Sequence, residues 1–152
     1  MTTKAKVPAL QPRLIVSDAA RAIAFYVEAL GAREVARHVD HKRNELIVHA
    51  ELRIGDAVFT LAEEARDWHN HAPTSLGGSP VILGLSVEDA DAVGARMQRL
   101  GAKVVFPIAD QFYGLREGRL VDPFGHVWIV SQVLEELSSE EIQRRVDAFP
   151  AP

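Results

Sequence analysis

Cysteine is absent from the 152 residues, which removes disulfides, thiolate nucleophiles and thiolate-ligated metals from consideration. Also missing is any apolar run near the roughly 18 residues that a membrane span needs. Met1-Thr-Thr-Lys-Ala-Lys6 has no apolar core of a secretory leader, so a cytoplasmic protein with no membrane partner is expected. No charge of one sign dominates. The formal charge of −4 is small and spread along the chain, which disfavours nucleic acid as a partner. A Walker loop, a dinucleotide fingerprint and a nucleophile motif are all lacking. Leu76-Gly-Gly-Ser79 reads as a loop, without the strand-to-helix context of a phosphate cradle.

What is present is an ordinary globular composition, 47% hydrophobic, enough for one domain or two closely joined halves. Leu10 to Val16 reads as a strand, and Ser17-Asp18 caps a helix with an apolar stripe of Ile23, Tyr26, Val27 and Leu30 that ends at Gly31. Strands are expected near Glu34 to Val39, Glu45 to Ile54 and Ala57 to Ala62, the last two joined by a Gly55-Asp56 hairpin turn. From Glu63 to Pro80 periodicity is lost and a connecting loop is expected. Val81 to Val87 is a strand, Glu88-Asp89 caps a helix with stripe Val93, Met97 and Leu100, and Gly101 ends it. Tyr113 to Ser131 reads as a meander: a short strand, a Glu117-Gly118 turn, a strand to Asp122-Pro123, a Gly125 turn and a final strand from Val127. In the tail, Ser138 and Glu141 form a capping box with Leu137 and Ile142 as staple, opening a helix with stripe Ile142, Val146 and Phe149. Such a helix covers an open edge or packs on a partner subunit.

The chain repeats itself. Val16, Asp18 and Ala19 recur 71 positions on as Val87, Asp89 and Ala90, while Gly31-Ala32 and Gly55 recur 70 on as Gly101-Ala102 and Gly125. Two βαβββ modules therefore pair to bury their apolar faces. The class is α+β, with a cupped mixed or antiparallel sheet, and the expected divisions are 8–63, a loop 64–80, 81–135 and a tail 136–152.

The two modules, the Asp18…Phe25-Tyr26…Leu30-Gly31 pattern and Asp122-Pro123-Phe124-Gly125-His126 resemble the vicinal oxygen chelate superfamily. Its members include glyoxalase I, extradiol dioxygenases, fosfomycin-resistance enzymes and bleomycin-binding resistance proteins. Tyr113-Gly-Leu-Arg116 leading into that motif looks most like the small PhnB-like glyoxalase group. The resemblance implies a homodimer, with Tyr26 and the tail helix as candidate interface parts, and a divalent metal held by one donor from the first and last strand of each module. Counting from the motifs puts those four positions at Gln11, Phe59, Ile82 and Ile129. Three hydrocarbons and one amide do not make a metal site, so no metal and no cofactor are expected. An apolar cleft results, suited to a small hydrophobic or aromatic ligand.

The candidate ligand-binding residues are Gln11, Phe59, Trp68, Ile82, Phe112, Tyr113, Arg116 and Ile129, with Arg119 also open to such use. Trp128, in an apolar strand, reads as core. The planar head of Arg116 suits a carboxylate, phenolate or phosphate, or else a salt bridge to Glu117 or Asp122. His38, His41, His69 and His71 read as solvated loop histidines. A two-residue Gly55-Asp56 turn would set Leu52 opposite Phe59 and point His49 and Glu51 away from the cleft; a bulge would reverse this. The expected function is metal-independent sequestration of an antibiotic or aromatic natural product, with an enzyme of glyoxalase, dioxygenase or isomerase type as the alternative and an interaction module as a third reading.

Overall fold

A computed structural model describes residues 7–152. The leader reading of Met1 to Lys6 lies outside the described residues. Two compact units divide at Gly78/Ser79, and each is built from the same elements. In the first, β1 (Arg13–Val16), α1 (Ala19–Leu30), β2 (Arg33–Asp40), β3 (Leu46–Ile54) and β4 (Ala57–Glu63) make a mixed sheet of order β1-β4-β3-β2. In the second, β5 (Ile82–Ser86), α3 (Ala90–Arg99), β6 (Lys103–Asp110), β7 (Leu115–Val121) and β8 (Val127–Val133) repeat it as β5-β8-β7-β6. The first and last strands of each unit are parallel neighbours and the other pairs are antiparallel. The fold is α+β with two βαβββ modules, and among the described residues no helix is long and apolar enough to cross a membrane.

Helices α1 and α3 each start where a carboxylate can satisfy an orphan amide: Asp18 accepts from Arg21 N at 3.1 Å and Asp89 from Ala92 N at 2.9 Å. The first helix buries Ala22, Ile23, Phe25, Tyr26, Ala29 and Leu30, whereas Val27 is exposed. Tyr26 sets its ring edge-on to Phe59 of β4, with centroids 5.6 Å apart. One face of each sheet is thus core. The other, which the unit's own helix leaves uncovered, is its open face.

Three sequence expectations change. The stretch 64–80 is not a plain loop: a 3-10 turn spans Arg66–Trp68 and a short helix α2 spans Pro73–Leu76. The Glu64 carboxylate holds that helix by accepting from Ala72 N at 2.6 Å and Ser75 Oγ at 2.8 Å, and these bonds keep its pKa below the ordinary glutamate range. Glu117-Gly118 is not a turn but the middle of β7. The reversal before β7 falls instead at Gln111 to Gly114, where Gln111 N donates to Leu115 O at 2.7 Å and Gly114 sits at φ +86°.

The tail helix α4 spans Ser139–Ala148, with Ser138 accepting from Glu141 N at 3.1 Å. Half of the capping box is formed. The Glu141 carboxylate turns outward to Arg144 and Arg145. Arg145 also donates to the Phe112 carbonyl at 2.8 Å, and Phe149 stacks on Phe112 with centroids 4.5 Å apart.

Candidate functional site

A cleft of about 340 Å³ opens on the second unit's open face, lined by Phe106, Pro107, Ala109, Gln111, Tyr113, Glu117, Gly118, Arg119 and Ile129. Strand register explains the assembly. Glu117 lies opposite Ser131 and Arg119 opposite Ile129, so these four share one face. Their neighbours Leu120, Trp128 and Val130 are buried on the other face.

The polar end is organised by Glu117. Tyr113 Oη donates a short hydrogen bond to its Oε1, and Ser131 Oγ donates to Oε2 at 2.6 Å. Burial, then the Glu117 carboxylate, pushes the Tyr113 phenol up to about 12, so it remains a donor at neutral pH. Gln111 Nε2 donates to the carbonyls of Ala109 and Glu117 at 3.3 and 3.4 Å, closing the rim. At the other end Arg119 lies with its guanidinium carbon 5.2 Å from the Phe106 ring centroid. Its Nε is buried and finds no hydrogen-bond partner among the described residues.

Of the residues expected to bind ligand, Tyr113 and Ile129 line this cleft. Ile82 stands on the same open face, on β5 opposite Val127. Phe112 lies edge-on to Tyr113, 5.0 Å between centroids, but it turns toward Phe149 of the tail. Arg116 is on the opposite face of β7, where it pairs with Asp91 and Asp110 at 2.7 Å each, not with Glu117 or Asp122. Those two carboxylates raise its pKa, and Arg116 lowers that of Asp91.

Gln11, Phe59 and Trp68 belong to the first unit. Gln11 precedes β1, half-buried. Phe59 faces α1 rather than the open face, which corrects the count that set it beside Ile129. The two units show why. Glu63 Oε1 accepts from Ala19 N at 3.3 Å and Gln132 Oε1 from Ala90 N at 3.1 Å, so in the last strand residue 63 answers to 132, a step of 69 rather than 70. Ile129 therefore corresponds to Thr60, and Phe59 to Trp128. Trp68 is 47% exposed and carries the Arg43 guanidinium 4.1 Å over its ring, with Arg43 paired to Asp67.

This shift redraws the first unit's open face. The Gly55-Asp56 turn does have two residues and Leu52 does oppose Phe59, but both are core, so His49 and Glu51 point to the open face. The Arg13 guanidinium lies 3.1 Å from His49 Nδ1, His38 stacks on His49 at 5.6 Å, and Glu51 pairs with Arg53 at 3.0 Å. That face is polar where an apolar one was expected. Partial burial, then Arg13 and His38, lower the His49 pKa below the ordinary 6.5, while Glu51 opposes them. The unfolded chain thus binds the proton more readily, so this stabilisation is complete above pH about 6.5 and is lost as pH falls through the unfolded value toward the folded one. Melting temperature is expected to fall more steeply below pH about 6.5 in the wild type than in His49→Gln; parallel pH profiles of the two would refute the assignment.

Among the described residues no three His, Asp or Glu side chains gather to hold one ion. Replacing Phe59 by Thr60 among the family positions adds only a hydroxyl, so these residues do not fit a divalent metal.

The family model of the Glyoxalase/Bleomycin resistance protein/Dioxygenase superfamily matches residues 9–130. The chain belongs to this superfamily. It is 44% identical over 139 residues to the uncharacterized proteins Mb0911c of Mycobacterium bovis and Rv0887c of Mycobacterium tuberculosis, spanning 90% of this chain and 90% and 81% of theirs. In fold it is similar to protein PA1353 of Pseudomonas aeruginosa, with a TM-score of 0.69, 20% identity, and coverage of 84% of this chain and 100% of that one. It is likewise similar to TioX of Micromonospora sp. ML1, with a TM-score of 0.62, 22% identity, and coverage of 86% and 100%. The PhnB protein of Bacillus cereus gives a TM-score of 0.66 at 16% identity, with coverage of 83% and 100%.

The residues missed in the sequence are Phe106, Pro107, Gln111, Glu117 and Ser131. Alternation along β7 and β8 would have put Glu117, Arg119, Ile129 and Ser131 on one face. Reading Glu117-Gly118 as a turn hid it.

Proposed function

We propose that this member of the superfamily captures a small organic molecule in the second unit's cleft and holds it without transforming it. The observation that carries the reading is the state of Glu117. It is the carboxylate that lines the cleft, and hydroxyl donors occupy both of its oxygens. Both oxygens of this carboxylate are committed to internal hydroxyls rather than turned to a ligand, and the neighbouring Tyr113 is a poor acid because its phenol is pushed up to about 12. What remains is concave apolar surface from Phe106, Pro107 and Ile129 with polar groups at the ends, the usual build of a binding pocket. Solved structures of the same fold include fosfomycin resistance protein FosX of Listeria monocytogenes, with a TM-score of 0.62 at 14% identity, a likeness of fold.

The perturbed Tyr113 beside Glu117 also favours a second reading, an enzyme that shuttles a proton between them. One experiment separates the two. A panel of aromatic and apolar compounds is screened by thermal shift, and hits are incubated with protein and recovered. Capture predicts an upward shift, one compound bound per chain, unchanged recovery, and loss of the shift in Ile129→Trp, which fills the cleft. Chemical conversion of a hit that stops in Glu117→Gln would establish the enzyme instead.

A further inference from the structure

We propose that the molecule taken up by this cleft is a monocarboxylate with a flat apolar body, anchored by Arg119. The proposal rests on the binding reading above and names the ligand class. The two arginines of β7 are three residues apart and are treated in opposite ways. Arg116 commits its guanidinium to Asp91 and Asp110, while Arg119 lines the cleft with a buried Nε that has no partner among the described residues. Burying a guanidinium N–H without an acceptor is costly; Nε itself is closed off, so a ligand oxyanion would meet the guanidinium on the side that lines the cleft and offset the cost by neutralising the cation there. Glu117 does not do so although it shares the face, because Tyr113 and Ser131 turn both its oxygens to themselves. The hydroxyls therefore keep the internal carboxylate away and leave the arginine available. The same Glu117 limits the ligand to one anionic group, since a second carboxylate at that end would meet a like charge. The Phe106 ring, 59% exposed, lies under the guanidinium, and with Ile129 and Pro107 it offers a plane and a floor for an aromatic body. The volume of about 340 Å³ is at the small end of ordinary ligand pockets.

The test is calorimetric titration of the full chain with 2-naphthoate, its neutral amide and naphthalene-1,4-dicarboxylate, in the wild type, Arg119→Lys and Arg119→Met. The expected result is a monoacid bound at least tenfold more tightly than the amide or the diacid. Arg119→Met should lose that advantage with the amide unaffected, and Arg119→Lys should keep part of it. Without ligand, Arg119→Met is expected to melt at the same temperature or higher, because it removes an unsatisfied buried donor, whereas a purely structural arginine would lower it. Equal affinities for acid and amide, or an unchanged acid affinity in Arg119→Met, overturn the anion assignment and leave the cleft reading standing. No binding of any of the three to the wild type overturns both.

Discussion

Asp122→Ala is expected to destabilise the protein by about 3 kcal/mol or more, a larger loss than truncating any of the cleft's polar side chains should cause. Asp122 is 4% exposed, and its two oxygens hold the turn that gives the Asp-Pro-Phe-Gly-His motif its shape. Oδ1 accepts from Phe124 N at 2.9 Å and His126 N at 3.0 Å, and Oδ2 accepts from Trp128 Nε1 at 2.9 Å. Removing the carboxylate leaves three donors behind, two of them backbone amides in a buried turn and one the indole of a core tryptophan. Each orphan costs on the order of 1–3 kcal/mol, partly recovered where water enters. Asp122→Asn should lose about half as much, since its carbonyl can serve the two amides while its NH2 faces the indole. Urea unfolding with an unchanged slope measures both, and a shift in Asp122→Ala of under about 1 kcal/mol would sink this account. The motif that carries the family resemblance is therefore structural in this chain: it fixes where β8 begins and hence which of its side chains meet β7.

That distinction explains how much was legible beforehand. Helix starts at Asp18 and Asp89 were readable because capping is local chemistry, written in one side chain and the amide three residues on. The repeat was readable because both units use the same caps and the same glycine stops at Gly31 and Gly101. Strand facing was harder. It depends on register, and one residue moves every side chain to the other face. Phe59 was assigned to the open face by a step of 70 where the last strands differ by 69, and the side taken by His49 and Glu51, which hung on the same register, stayed open. The site suffered likewise. Arg116 looked available because its partners Asp91 and Asp110 lie 25 and 6 residues away, beyond any local rule. Glu117, Gln111 and Ser131 went unnoticed because their association is a product of the β7–β8 pairing and of a reversal at Gln111 to Gly114 rather than at Glu117-Gly118.

Gly118→Ala is the second large effect expected, and it tests the reason for that misreading. A glycine flanked by charged residues invites a turn, yet Gly118 is extended strand, so its need for glycine is steric. A Cβ there would lie 2.7 Å from Ile108 N, 2.7 Å from Ile108 Cγ1 and 2.8 Å from the Phe106 carbonyl. The pairing of β6 with β7 is irregular between Phe106 and Ala109, which lets Ile108 turn inward against Gly118 and Gly94. Two of the three close atoms are backbone, which cannot rotate aside, so β6 must move. The substitution is expected to destabilise by about 2–3 kcal/mol, as overpacking in a core does, and to weaken ligand uptake at least tenfold by drawing Phe106 away from Arg119. Gly84→Ala is the control: it also sits in a strand of this sheet, a Cβ there meets nothing within 4 Å, and its unfolding midpoint and ligand affinity should stay near wild type. If Gly118→Ala proves as silent as Gly84→Ala, the irregular strand is not what shapes the cleft. If it destabilises while leaving affinity intact, Phe106 and the Arg119 anchor do not act together.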